Sequence, residues 1–309
     1  MNDTIAIVVT YNRKKMLAEC LSHLFSLQGA SADILVVDNA STDGTRESIS
    51  EFIDNGSILY VNTGENLGGA GGFQYGMNEA IKHNYKYLWL MDDDTFPSPD
   101  SLKELLEVDR SLNGKYGFLS SIARWKDGSL CNMNIQKTSI KNKIDDFSGS
   151  TTPIIMATFV SFFVKADVVK EMGLPIKEFF IWSDDLEYSR RISMKYPSYT
   201  ANKSIVVHNM ASNAKVGIEK ESTDRLWRYS YLYRNEVYVY SREGIKGKWY
   251  LFLRVHLHML RVLLKAKEGR SEKLKVIWKS YHSGKKFNPP IRFPGENLKQ
   301  KPFSGDSND

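Results

Sequence analysis

Hydrophobic and polar positions fall in blocks along the first half of the chain. Ile5-Ala6-Ile7-Val8-Val9-Thr10 is a short, β-branched apolar run that breaks at Tyr11-Asn12-Arg13, and Ile34-Leu35-Val36-Val37 breaks in the same way at Asp38. Apolar runs of this length, continuous rather than alternating, predict strands buried on both faces. Ile58 to Val61 and Tyr87 to Met91 predict a third and a fourth. Between the strands the period lengthens. In Lys14 to Leu27, Met16, Leu17, Cys20, Leu21, Leu24 and Phe25 fall at helical spacing, with Gly29 just past the end. The turn-rich Asp38 to Gly44 leads into a predicted helix from Thr45 to Phe52, and Gln74 to Lys82 predicts another. Strands alternating with helices imply βαβ units and a largely parallel sheet, whose ligand crevice lies outside the carboxyl ends of the strands.

Beyond residue 115 the pattern is less regular. Phe118 to Arg124, Met156 to Val164 and Ile205 to His208 predict strands, and Lys165 to Met172 and Asp184 to Met194 predict helices. From Thr223 onward the signal is helical, and Phe287 to Asp309 is rich in Pro, Gly and polar residues, which predicts a flexible tail. The expected plan is a catalytic unit over 1–222, with a nucleotide-binding half to about 115 and an acceptor-binding half over 116–222. A helical region over 223–286 and a tail over 287–309 complete it.

Composition narrows this picture. A chain of 309 residues, 42% hydrophobic and 25% charged, is ordinary for a globular protein, long enough for one large α/β domain or two small ones. Cys20 and Cys131 have no paired-Cys spacing, which excludes a disulfide scaffold or zinc ribbon and suits a reducing compartment. No apolar run approaches the ~18 residues of a spanning helix. The opening MNDTIAIVVTYN puts an acid, not a basic region, before its short apolar run, so the expectation is a cytoplasmic protein.

Four constellations carry candidate chemistry, each at a predicted strand end or helix start. Asp38 can accept from a nucleobase, although a turn or cap acid explains it equally simply. Asn66-Leu67-Gly68-Gly69-Ala70-Gly71-Gly72-Phe73 lets backbone approach a ligand and offers N–H groups at a helix start; a tight turn is the plainer reading. It lacks the Gly-Lys-Ser/Thr of a P-loop and does not follow the first strand as a dinucleotide fingerprint does. Asp92-Asp93-Asp94 follows the apolar Leu88-Trp89-Leu90-Met91. Gathering three carboxylates is costly without a counter-charge, and Asp92 and Asp94, two apart on an extended chain, point the same way and can share a divalent ion. Last comes Phe179-Phe180-Ile181-Trp182-Ser183-Asp184-Asp185-Leu186-Glu187-Tyr188, where paired acids open a helix beside aromatic rings that would strengthen a carboxylate base; helix capping is the alternative. His208 closes a short strand and is either a metal ligand or a satisfied structural histidine.

In this order the motifs resemble a family 2 glycosyltransferase of the GT-A fold, a Rossmann-like, mainly parallel mixed sheet flanked by helices, here with a helical basic C-terminal extension. The resemblance covers about residues 4 to 240, is highly specific as a combination, and is strongest to bacterial galactofuranosyltransferases, with dTDP-rhamnose transferases close behind. It implies that Thr10, Asn12 and Arg13 line the uridine diphosphate, that Asp38 binds uracil, and that Asn66, Gly68, Gly69 and Asp93 sit by the nucleotide sugar. It implies that Asp92, Asp94 and His208 hold Mn²⁺ or Mg²⁺, that Asp185 is the general base of an inverting displacement, and that Asp184 orients the acceptor. Trp182 is a candidate acceptor contact. Here the chain departs from the galactofuranosyltransferase pattern, because Ser183 separates Trp182 from the two acids.

The charge is unevenly spread. Between Ser241 and Lys286 thirteen Lys or Arg face three Glu, a local +10 within an overall +6, leaving −4 elsewhere. Bases interleaved with the apolar residues from Trp249 to Leu264, among them Leu251, Leu253, Val255, Leu257 and Val262, and with Leu274, Val276, Ile277, Trp278 and Tyr281 have the composition of a helix resting on anionic lipid; two helices packing on the catalytic unit would give it too. A lipid-linked oligosaccharide acceptor assembled at the inner face of a membrane would give that contact a purpose. A basic nucleic-acid binder is a competing class, but the acids gather where a ligand would sit and the bases lie far along the chain, so no nucleic-acid partner is expected. A metal-dependent nucleotidyltransferase is a third reading of the Asp-x-Asp pattern.

Overall fold

The computed structural model describes residues 2–214 and 217–296. In chain order the elements are β1 (Thr4–Thr10), α1 (Lys14–Phe25), β2 (Asp33–Asp38), α2 (Thr45–Ser48), α3 (Ser50–Asp54), β3 (Leu59–Asn62), α4 (Gly68–Lys82), β4 (Tyr87–Asp92), β5 (Thr95–Pro97) and α5 (Ser101–Ser111). There follow β6 (Phe118–Arg124), β7 (Thr151–Ile154), β8 (Phe162–Lys165), α6 (Ala166–Met172), α7 (Asp184–Ser193), β9 (Ser198–His208), α8 (Leu226–Ser241), α9 (Gly244–Lys265) and α10 (Arg270–Gly284).

One nine-stranded sheet runs β3-β2-β1-β4-β8-β6-β9-β5, with β7 paired to β9. The first four strands in this order are parallel, and the sheet turns antiparallel at β4/β8. Side chains alternate across it. Ile5, Ile7, Val9, Leu88 and Leu90 pack under α4, α6 and α7, whereas Ala6, Val8, Trp89 and Met91 pack under α1 and α5. Both faces are covered, which is why these strands are apolar at every position.

Several elements differ from their sequence expectation. The run Met156 to Val164 is not one strand: β8 starts at Phe162 after a turn in which Ser161 has φ +62°. The helix expected over Thr45 to Phe52 breaks at Ile49 into α2 and α3. Helix α4 starts at Gly68 rather than Gln74, so the glycine run is its first turns and not a loop before it. The last glycine of that run serves packing, since a Cβ on Gly72 would lie 2.6 Å from Val9, and so does Gly76 one turn further on, where a Cβ would lie 2.6 Å from Ile7 and 2.7 Å from Val37. β5 and α5 were not legible as separate elements, and β9 extends seven residues upstream of Ile205.

The C-terminal helices are built onto the body. Val237 and Tyr240 of α8 share a core with Leu251, Val255 and Val262 of α9 and Ile277 of α10. The tail expected to be flexible is docked over 287–296. Phe287 packs on Phe179 and Tyr238, the Leu174 amide donates to the Arg292 carbonyl at 2.8 Å, and the Gly295 amide donates to Asn78 at 3.1 Å. Residues 297–309 lie outside the described residues.

Candidate active site

The carboxyl ends of β1, β2 and β4 line up in register, Thr10 beside Asp38 and Val9 beside Asp92. Asp92 ends β4, and Asp93 and Asp94 form the turn that follows. Asp93 is buried, accepting from the Thr10 hydroxyl at 2.7 Å and from Arg13 at 2.8 Å. Asp94 accepts from the second arm of the same guanidinium at 2.9 Å and faces His208 Nε2 at 3.1 Å. Arg13 therefore forks across both acids. Asp92 has no hydrogen-bond donor among the described residues.

These surroundings set the charges. Burial pushes the Asp93 carboxyl up to about 7 against the pull of Arg13. For Asp92, burial and then the like charge of Asp94 raise it. Burial would raise Asp94 too, but the His208 hydrogen bond and charge, with Arg13, hold it below the ordinary carboxylate range. Burial would lower His208; its Asp94 partner raises it instead, to about 10.

Strand pairing brings His208 to this cluster. Thr95 of β5 pairs with His208 of β9, and the Asn209 amide donates to the Asp94 carbonyl at 2.8 Å. On the far side of the ring Nδ1 meets Asn134 Oδ1 at 2.8 Å, while Asn134 Nδ2 donates to Thr158 and its Oδ1 also accepts from Cys131. An oxygen acceptor there requires Nδ1 to carry a hydrogen, which leaves Nε2 pointing at the acids as the ligating nitrogen. One ligand atom each from Asp92, Asp94 and His208 lie within 4.8 Å of one another. Two carboxylates, one of them lacking a donor, and an oriented imidazole suit Mn²⁺ or Mg²⁺.

The other candidates surround this cluster. Asp38 is buried at the end of β2, accepting from the Ser41 amide and the Tyr60 hydroxyl, both at 2.8 Å. Asn12, with φ +53°, bridges to the next loop by accepting from the Thr42 amide at 2.7 Å. Asn66 is exposed and accepts from the Gly68 amide at 2.9 Å, and a Cβ on Gly69 would meet nothing within 4 Å.

The paired acids open α7. Ser183 precedes them at φ +67° and makes no side-chain cap hydrogen bond. Phe180 and Trp182 also have positive φ, +62° and +64°, so this approach to the helix is strained. It is held from two sides. The Ala70 amide of α4 donates to the Phe180 carbonyl, and the buried Asn235 of α8 donates to the Phe179 carbonyl at 2.9 Å and the Trp182 carbonyl at 2.8 Å. Trp182 packs edge-on against Tyr229. Burial, then Asp185, raises Asp184 well above the ordinary range. Asp185 is half-buried and accepts from the Leu186 amide at 2.7 Å; burial and the charge of Asp92, opposed by that amide and by Lys137, leave it at about 7. The charge of Asp92 adds to the upward push on both acids, so the α7 acids lie within electrostatic reach of the metal-type cluster.

Asn134, Cys131, Lys137 and Asn235 were not found from sequence. The first three lie in a stretch with no hydrophobic period, and Asn235 is one polar residue in a tyrosine-rich helix.

A mixed sheet with acids and a histidine at its strand ends, flanked by helices on both faces, defines a GT-A glycosyltransferase. The sequence profile of Glycosyl transferase family 2 matches residues 5–167, and the chain belongs to that family. The galactofuranosyltransferase GlfT1 of Mycolicibacterium smegmatis is 24% identical over 255 residues, covering 78% of this chain and 84% of that protein. GlfT1 of Mycobacterium tuberculosis is 26% identical over 263 residues, covering 78% and 83%. Among solved structures, the mannosyltransferase PcManGT of Pyrobaculum calidifontis superposes with a TM-score of 0.55 at 14% identity, covering 94% of this chain and 76% of that one. TarS 1–349 of S. aureus in complex with UDP gives 0.54 at 14%, covering 93% and 72%. At these identities the structural likeness speaks to the fold.

Proposed function

We propose that this glycosyltransferase moves galactofuranose from UDP-galactofuranose to a hydroxyl of a cell-surface polysaccharide or lipid-linked oligosaccharide, with inversion and with Mn²⁺ or Mg²⁺. The observation that carries the donor is the likeness to galactofuranosyltransferases, which extends over 255 residues, well beyond the family profile. Structural relatives solved with UDP, and with GDP-Man and Mn²⁺, support a nucleotide-sugar donor and a divalent cation.

In this reading residues 1–115 carry the donor side and 116–222 the acceptor side. Asp38 accepts from uracil, Thr10, Asn12 and Arg13 line the nucleotide, and Asn66, Gly68 and Gly69 lie along the sugar. Asp93 holds Thr10 and Arg13 in place, contacting the donor through them. Asp92, Asp94 and His208 would hold the cation, which offsets charge on the departing diphosphate. Asp185 takes the proton of the acceptor hydroxyl, whose oxygen bonds to the anomeric carbon as the carbon–phosphate-oxygen bond breaks and UDP leaves. A single displacement of this kind inverts the anomeric centre. Asp184, whose carboxyl burial pushes well above the ordinary range, orients the acceptor, with Trp182 beside it. The enzyme acts on the cytoplasmic side, peripherally at the inner face of the membrane.

The test is a panel of nucleotide sugars incubated with the protein, Mn²⁺ and a galactan or lipid-linked acceptor, reading nucleotide release and product mass. Release of UDP with a hexose added from UDP-galactofuranose is expected. Turnover of dTDP-rhamnose with UDP-galactofuranose left intact would replace the donor, and formation of a nucleotidyl sugar would replace the reaction class.

A further inference from the structure

Helix α9 is 22 residues long and carries two opposite apolar faces. Leu251, Val255 and Val262 face the body and are buried. On the other side Ile245, Trp249, Leu253, Leu257, Leu260 and Leu264 recur every three or four residues, so they form one stripe along the helix. They are far from covered: Ile245 is 76% exposed, Leu264 71%, Leu253 62% and Trp249 61%. A continuous row of large apolar side chains in water marks an interaction surface.

Charge selects the partner. α9 contains no Asp or Glu, and Lys246, Lys248, Arg261 and Lys265 carry no ion pair among the described residues. Arg254 is already matched, by Glu236 of α8 at 2.9 Å. Two copies meeting along this stripe would bring two uncompensated basic rows together with no acid between them. Nucleic acid would satisfy the bases and leave the leucines in water. An anionic bilayer satisfies both, taking the leucines and Trp249 at the acyl boundary and the bases at the headgroups. No helix among the described residues is long and apolar enough to cross a membrane.

We infer that the exposed face of α9 docks this protein in the plane of an anionic lipid surface. The inference deepens the proposed lipid-linked acceptor reading, by naming the surface that would bring enzyme and acceptor together.

The test is co-sedimentation of the full chain with equimolar phosphatidylglycerol–phosphatidylcholine vesicles, against pure phosphatidylcholine vesicles, without donor or acceptor. Binding to the anionic vesicles that weakens with salt is expected, and the exposed pair Leu253→Glu/Leu264→Glu should lower it by at least about tenfold. A second variant, Lys246→Gln/Lys248→Gln, should weaken anionic binding with a shallower salt dependence and an unchanged circular dichroism spectrum. Failure of the native chain to sediment with anionic vesicles would overturn the inference. So would a stable dimer in light scattering that the Leu253→Glu/Leu264→Glu pair dissociates. Donor turnover on a soluble acceptor is read separately, so a native chain that turns over donor yet fails to bind anionic vesicles rejects the docking face alone.

Discussion

The glycines of α4 make a divided prediction, because the helix lies against the sheet at Gly76 and faces open space at Gly69. Gly76 sits over β1 and β2, where a Cβ would come within 2.6 Å of Ile7 Cγ2 and 2.7 Å of Val37 Cγ2. Both neighbours are fully buried and β-branched, held in central strands with little rotamer freedom. Gly76→Ala therefore overpacks a rigid contact, at about 1–3 kcal/mol. The better helix propensity of alanine returns about 1 kcal/mol of this. The net effect is a loss of up to about 2 kcal/mol, a fall in Tm of a few degrees for a chain of this size. Gly69→Ala meets nothing within 4 Å and is not in a left-handed conformation, so its stability should hold or rise by up to about 1 kcal/mol. If Gly69 lies where the donor approaches, its added methyl should raise the donor KM by about tenfold, equivalent to roughly 1.4 kcal/mol. Gly76→Ala should leave KM unchanged. Urea unfolding of both variants and donor saturation curves provide the four numbers. A Gly76→Ala protein as stable as the parent would refute the packing argument, and an unaltered KM in Gly69→Ala would refute the donor placement.

Three further outcomes follow from the site. Asp185→Asn should abolish transfer with UDP affinity nearly unchanged, and the parental rate should fall as pH drops through about 7, where the base is protonated; near-parental transfer by the variant would remove Asp185 from the role. Asp94→Ala removes the partner of both His208 and Arg13 and should weaken Mn²⁺-dependent UDP binding; an unchanged calorimetric titration would dismiss the metal assignment. Asn235→Ala removes the side-chain donor to the Trp182 carbonyl and one of the two donors to the Phe179 carbonyl in the strained approach to α7, costing roughly 1–2 kcal/mol, and should lower kcat more than donor affinity. An unaffected kcat would show that the strained turn holds itself.

What the sequence conveyed depended on burial. β1, β2 and β4 are covered on both faces, so their apolar runs are unbroken and the polar residues at their ends stand out; the parallel sheet and the Asp92–Asp94 cluster were legible for that reason. The extended chain expected through Asp92 and Asp94 is instead a turn after Asp92, and the spacing left open what Asp93 does, because the Arg13 fork comes from a loop 80 residues away. The short β5 has too few residues to show a period, yet its pairing with β9 is what delivers His208. Residues 125–150 carry Asn134 and Lys137 outside any helix or strand, and nothing in their spacing announces a partner 74 residues distant in sequence. The tail looked unstructured by composition because Phe287, Ile291 and Arg292 are too few to form a pattern, although they find a surface made by the rest of the chain.

The C-terminal helices acquire a different meaning from the same contacts. Composition suggested a basic appendage, but α8 supplies Asn235 to the carbonyls that lead into Asp184 and Asp185. Glu243, at the junction of α8 and α9, is buried against Arg190 of α7, with Arg190 Nη2 to Glu243 Oε2 at 2.9 Å. Glu236 of α8 in turn fixes Arg254 of α9, and Tyr233 reaches His258 at 2.9 Å. Helix α7, which carries Asp185, is thus tied to the α8–α9 junction, and α9, which carries the exposed leucine stripe, is tied to α8, in both cases by buried, hydrogen-bonded charge of the kind that costs several kcal/mol to break from one side. A surface held on α9 would therefore lie at a fixed distance and angle from Asp185. For an acceptor anchored in that surface, such rigidity confines the search for the reactive hydroxyl to the reach of its own chain above the lipid.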